Sequence, residues 1–170
     1  LNDYALFMAL KTFFHDQPFR AWPEDIRMHW GFALEHYNRE LYFDIEFQKY
    51  MQFKFNQQWS RLKAYANGKH IQIVGDIPIY VSPDGADVWA HPELFQLDER
   101  RHPEQVAGCP PDSFTADGQL WGNPIYDWKK MAQTHYSWWI QRLAAAGKLY
   151  DVIRLDHFRG FESYWSVPAG

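Results

Sequence analysis

"VIRLDHFRGF" (residues 152–161) begins with the β-branched, apolar residues of a buried strand, then places Arg154, Asp156, His157 and Arg159 within a few positions of one another. Side chains alternate along a strand, so Ile153 and Leu155 share one face while Val152, Arg154 and Asp156 share the other. In a closed (β/α)8 barrel the first set would pack on helices and the second would point inward. Asp156 and His157 would then stand at the carboxyl end of the strand, the face on which such barrels do their chemistry. Arg154 beside Asp156 would hold that carboxyl ionised. An ionised carboxylate in this position can attack the anomeric carbon of a sugar. An Arg–Asp ion pair that merely closes the end of a sheet fits the same spacing.

The surrounding pattern is α/β. "HIQIVGDIPIYV" (70–81) reads as a second apolar strand, with Asp76 near its carboxyl end; an Asp before Ile-Pro also reads as a turn cap. Tyr4 to Phe14 has the pattern of a short helix, and Glu35 to Ala66 that of a long one. In the latter, Phe47, Met51, Phe55, Trp59, Leu62 and Ala66 recur on one face, a packing stripe. Trp128 to Ala146 predicts another helix, stopping at Gly147. Between Ser82 and Asp127 no period is visible, and a long irregular segment inside a compact domain points to function. Trp89 and Phe95 within it read as core. Helix, strand, long loop, helix, strand predicts a parallel sheet or barrel.

Composition narrows the function. With 170 residues there is room for one ordinary domain, and 46% hydrophobic against 22% charged residues is a globular balance. Nine Trp, ten Tyr and thirteen Phe exceed what a core of this size requires, which points to binding surface for flat ligands. A net charge of −4 argues against a nucleic-acid partner. The apolar run Tyr4–Leu10 is too short to span a membrane, and the opening residues lack the pattern of a secretory leader. A chain that begins with Leu is expected to be an excerpt of a longer one. The single Cys109 excludes an internal disulfide framework and fits a reducing, cytoplasmic compartment. The eight histidines show no metal-ligand spacing, and no P-loop, G-x-S-x-G or G-x-G-x-x-G motif is present.

Three separate stretches, in order, carry a family likeness: "VGDIPIYVSPDGADVWAHPELFQLDE", "VAGCPPDSFTADGQLWGNPIYDW" and "VIRLDHFRGFESYW". Together they resemble the 4-α-glucanotransferases known as amylomaltases or disproportionating enzymes, retaining barrel enzymes of the α-amylase clan (glycoside hydrolase family 77). "DYALFMALK" and "YMQFKFNQQWSRLKAYAN" extend the likeness over most of the chain. Gly85 and Cys109 depart from the residues the family tends to carry, at positions without a catalytic role.

The resemblance implies a fold and a set of roles. The fold is part of a (β/α)8 TIM barrel, about two strands with flanking helices and a long active-site loop, the remainder of the barrel being its partner. Asp156 matches the catalytic nucleophile and Arg154 the arginine two residues before it. His157 and Asp76 match residues that hydrogen-bond the glucose at the cleavage point. The mobile loop would bring Asp112, Gln119 and Asn123 to sugar hydroxyls, and Phe114 and Trp121 to glucose faces. Trp121 without the likeness reads equally as a core aromatic. Malto-oligosaccharides and α-1,4-glucans are the implied substrates, with no cofactor. Exclusion of water by the loop would favour transfer over hydrolysis. The acid/base glutamate and a third, stabilising aspartate are implied to lie beyond Gly170. Glu162, close to Asp156 in sequence, reads as structural, and Arg159 is left without a role. An α-glucan hydrolase of the same clan and a non-catalytic glucan-binding polypeptide are the alternatives.

Overall fold

The computed structural model describes residues 1–113 and 115–169. In chain order these form α1 (Asn2–Phe13), α2 (Glu24–Arg27), α3 (Gly31–Glu40), α4 (Tyr42–Asn67), β1 (Val74–Pro78), α5 (Ala86–Ala90), β2 (Gln105–Cys109), β3 (Gln119–Pro124), α6 (Trp128–Gln133), α7 (Ser137–Leu149), β4 (Val152–Asp156) and β5 (Trp165–Pro168). No helix among them is long and apolar enough to cross a membrane. The chain divides into two compact units, one of residues 1–50, 80–127 and Tyr164 onward, the other of residues 51–79 and 128–163.

The first unit has an aromatic core and a small antiparallel sheet. α1 buries Ala5, Leu6, Phe7, Ala9 and Leu10. The Phe7 ring lies 5.4 Å from Trp22 and 5.7 Å from Trp89, and the Trp89 indole N–H donates to the Ile26 carbonyl at 2.8 Å. Trp89 and Phe95 are core residues, as their sequence suggests. Lys11 and the Phe19 amide both bond the carboxylate of Asp84, which ties α1 to the segment before α5. The sheet order is β3-β2-β5, antiparallel throughout, with a bulge between Val106 and Gly108. The expected irregular stretch of 82–127 is thus corrected: it contains a short helix and two paired strands.

The second unit is built on β1 and β4, which pair in parallel with Asp76 opposite Arg154 and Pro78 opposite Asp156. α6 and α7 lie in the connection that parallel pairing demands. Asp151, just before β4, accepts from the Asn67 side chain and the Ile73 amide, both at 2.8 Å, with Lys63 at 3.3 Å. One carboxylate therefore joins the end of α4 to the starts of both strands, and those bonds, the Ile73 amide first, lower its pKa. At the other end of the sheet, Arg142 of α7 donates to the Pro78 carbonyl at 2.9 Å and the Ile79 carbonyl at 3.1 Å. Its guanidinium lies 4.7 Å from the Trp139 ring centre.

Several predicted elements change their bounds. The long helix is two, α3 and α4, parted at Leu41, whose buried side chain preserves the apolar period through the break. The helix expected over 128–146 is also two. His135 and Tyr136 both take left-handed backbone angles between α6 and α7, and α7 continues past Gly147 to Leu149. The strand expected over 70–81 is paired only over Val74–Pro78. The packing stripe of α4 is corrected most: Phe47, Met51 and Phe55 are exposed, and Ile45 is the buried residue of that helix. Trp59 alone of its rings is well engaged, donating to the Leu149 carbonyl at 2.8 Å and meeting Tyr150 edge-on.

Candidate active site

Burial along β4 alternates as the sequence predicts: Val152, Arg154 and Asp156 are exposed, Ile153 and Leu155 half-buried. β1 repeats the period, with Asp76 exposed between buried Gly75 and Ile77. The parallel register therefore puts three charged side chains on one face of two adjacent strands, at or near their carboxyl ends.

Arg154 organises them. Its Nε donates to Asp76 Oδ1 at 2.9 Å and its Nη2 to Asp76 Oδ2 at 2.6 Å, a two-pronged ion pair across the ladder. The same Nη2 reaches Asp156 Oδ1 only at 3.4 Å. Arg154 stands beside Asp156 on one face as the alternation predicts, but its shorter bonds go to Asp76. A directly opposed residue on a neighbouring strand is about 4.8 Å away, whereas a residue two along the same strand is about 6.6 Å away. The bonds to Asp76, then its charge, raise the pKa of the guanidinium. Asp156 is left exposed at the strand end with one long contact to a cation.

His157 follows in the left-handed conformation (φ 52°, ψ 44°) and starts a short 3-10 turn, Phe158–Phe161. The residue is half-buried and its Nε2 is buried. Arg159 gains a place that its sequence did not reveal: its Nε donates to the Ser163 hydroxyl at 3.4 Å. Glu162 is exposed at the end of the same turn.

The remaining candidates belong to the first unit. Asp112 folds back on its own loop: Oδ1 accepts from the Thr115 amide at 2.8 Å and hydroxyl at 3.3 Å, and Oδ2 lies 3.9 Å from Cys109 Sγ. Gln119 Oε1 accepts from the Trp121 indole at 2.9 Å, and both side chains are exposed on β3. Asn123 donates to the Val81 carbonyl at 2.8 Å, an anchor for the strand. Phe114 lies outside the described residues. Tyr80, in sequence one more apolar strand position, has a fuller set of partners than that pattern implies. It is buried, stacked on Tyr126 at 6.1 Å and 6.4 Å from the Trp121 ring, and burial pushes its phenol up to about 12. Its place two residues past Pro78, where the strand pattern continues beyond the last paired residue, is the one local signal.

No group of three or more His, Cys, Asp or Glu side chains among the described residues could hold a metal ion.

A parallel strand pair with helices in its connection, carrying carboxylates and one arginine on one face near its carboxyl ends, makes this an α/β chain. The model of the 4-alpha-glucanotransferase family matches residues 1–170, and the chain belongs to that family. It is 50% identical over its whole length to a 4-alpha-glucanotransferase of Clostridium butyricum, of which it covers 35%. To the chloroplastic/amyloplastic enzyme of Arabidopsis thaliana it is 42% identical, covering 29% of that protein. Its structure is similar to that of the amylomaltase from Streptococcus agalactiae in complex with acarbose, with a TM-score of 0.95 and 44% identity over 99% of this chain and 34% of that one. The chain thus spans about a third of the length of the relatives it matches.

Proposed function

We propose that this chain supplies β1 and β4 as two of the eight strands of a barrel that transfers α-1,4-glucan segments between malto-oligosaccharides. An Asp156 oxygen bonds C1 of a glucose as the C1–O4 bond breaks, while a glutamic acid from the rest of the barrel protonates the departing O4. The 4-hydroxyl of a second glucan then attacks C1, its proton returns to the glutamate, and Asp156 leaves as a free carboxylate with net retention. Asp76 and His157 bond hydroxyls of the same glucose, Asp76 held by Arg154. Trp121 and Phe114 offer faces to neighbouring sugars, and Asp112, Gln119 and Asn123 shape the loop and bond hydroxyls at its rim. The acarbose bound to the Streptococcus agalactiae amylomaltase is consistent with a glucan-shaped cleft in this family. The lone Cys109 supports work in the cytoplasm.

The observation that carries the reading is the division of labour around Arg154. Its short bonds go to Asp76, so the Asp156 carboxylate keeps an exposed oxygen at the strand end for the anomeric carbon. The test is incubation of the full-length enzyme, and of its Asp156→Asn variant, with maltotriose, resolving products by chain length. Longer glucans together with glucose, absent from the variant, are expected. Shorter sugars alone would indicate a hydrolase, and no products a glucan-binding polypeptide.

A further inference from the structure

We infer that Gly160 is a positioning residue that acts through His157; the inference rests on the reading of His157 as a glucose contact. Gly160 is buried at the heart of the turn that follows β4, and its amide donates to the His157 carbonyl at 2.8 Å. That bond closes the turn and brings the glycine Cα against the imidazole. A Cβ built at position 160 would stand 2.8 Å from His157 Cδ2, 3.3 Å from its Nε2 and 2.8 Å from Ile79 Cδ1. The space a methyl would occupy is thus held between the histidine ring and the residue just past β1.

The three groups respond differently to a methyl there. Ile79 is itself buried, and its backbone carbonyl is held by Arg142 at 3.1 Å. Its Cδ1 is the tip of a flexible chain, but the residue is buried, so its room to turn aside is smaller than that of a half-buried ring. The His157 backbone is committed to the left-handed region, where a residue with a Cβ has little latitude. The ring itself, half-buried and attached through two rotatable bonds, is the part that moves. Absence of a side chain at Gly160 therefore sets the angle at which the imidazole stands beside Asp156, its neighbour in the chain. Glycine here serves the site by close approach, since no positive φ requires it.

The experiment measures dissociation constants for maltotriose by calorimetry, with every variant made in the Asp156→Asn background of the full-length enzyme so that no turnover intervenes. Gly160→Ala is expected to weaken binding about tenfold, equivalent to about 1.4 kcal/mol. His157→Ala weakens it by as much or more. The two together weaken it no further than His157→Ala alone, because residues that act through one another are not additive. Thermal midpoints of all variants identify any that fail to fold. If Gly160→Ala costs the same factor with and without His157, the glycine acts through the fold and the inference is overturned. If Gly160→Ala changes nothing, it is overturned as well. If His157→Ala alone leaves binding unchanged, the reading of His157 fails first and takes the inference with it.

Discussion

Lysine in place of Arg154 keeps the charge and removes the fork. The guanidinium reaches both oxygens of Asp76 and still touches Asp156, a geometry that a single ammonium cannot reproduce. Arg154→Lys in the full-length enzyme is expected to lower the initial rate of maltotriose disproportionation by about a hundredfold, the scale of a misplaced contact. A rate within a factor of two of the parent would show that charge alone suffices. The charged face itself is legible in the sequence, because period-two alternation puts Arg154 and Asp156 together whatever the strand pairs with. The arginine's partner is not legible, since it depends on the register of a strand almost eighty residues away. A second residue carries a pH dependence. His29, in the first unit, has a buried Nε2 and a ring 4.4 Å from Trp89, and burial lowers its pKa below 6.5. The nearby Asp3 and Glu93 oppose that shift, while Arg101 and His91 reinforce it. The unfolded chain takes up its proton at about 6.5 and the folded chain only at lower pH. The stabilising contribution is therefore complete above 6.5 and lost as pH falls through the folded value. His29→Asn, which tolerates the left-handed backbone at this position (φ 63°), should lose less stability on acidification in denaturant titrations. An identical loss in both proteins would count against the burial effect.

The turn between β2 and β3 depends on a backbone that few residues adopt. Gly118 has φ 73°, and a Cβ there would overlap the Cys109 carbonyl oxygen and crowd Pro110. Gly122 has nearly the same angle, φ 76°, but a Cβ there would meet no atom within 4 Å. Gly118→Ala is expected to destabilise by about 3 kcal/mol, toward the upper end for a strained residue. Gly122→Ala should cost about 1 kcal/mol, the backbone penalty alone. Urea midpoints separate the two, and equal losses would show that the overlap is relieved. These elements also show where local pattern stops informing. β4 is legible to the residue because its last four positions, Ile153 to Asp156, alternate apolar and polar and the strand is bounded by Asp151 and His157. β2 and β3 are not, because Gly108, Gly122 and Pro124 interrupt their period and β2 also pairs with β5, about sixty residues onward. The breaks at Leu41 and at 134–136 are equally hidden: neither contains glycine or proline, and at the second the Met131 carbonyl accepts from the Tyr136 amide at 2.8 Å, five residues on, as well as from the Thr134 hydroxyl.

At the scale of the whole chain the surplus of aromatic residues divides into two populations. Phe7, Phe19, Trp22 and Trp89 are core. Others stand in water on the helices: Phe43 is 85% exposed, Phe32 63% and Phe47 58%. The apolar stripe of α4 has the period of a packed face. Among the described residues only its Trp59 is engaged, Phe47, Met51, Phe55 and Leu62 staying exposed, and this chain spans about a third of its relatives' length. Exposed apolar rings clustered on one helix favour association, since each ring removed from water gains free energy in proportion to its apolar area. Produced by itself, the 20.3 kDa chain is expected to sediment as species larger than its own mass. Phe43 and Phe47 are one helical turn apart on the side of α4 opposite Ile45, the residue of that helix that is buried, and are themselves exposed. Phe43→Glu with Phe47→Glu should therefore shift the distribution toward monomer while leaving the thermal midpoint within a few degrees. Sedimentation velocity distinguishes the outcomes. A parent chain that is already monomeric would show that these rings do not drive association. An associated chain unmoved by the double substitution would assign the contact to another surface.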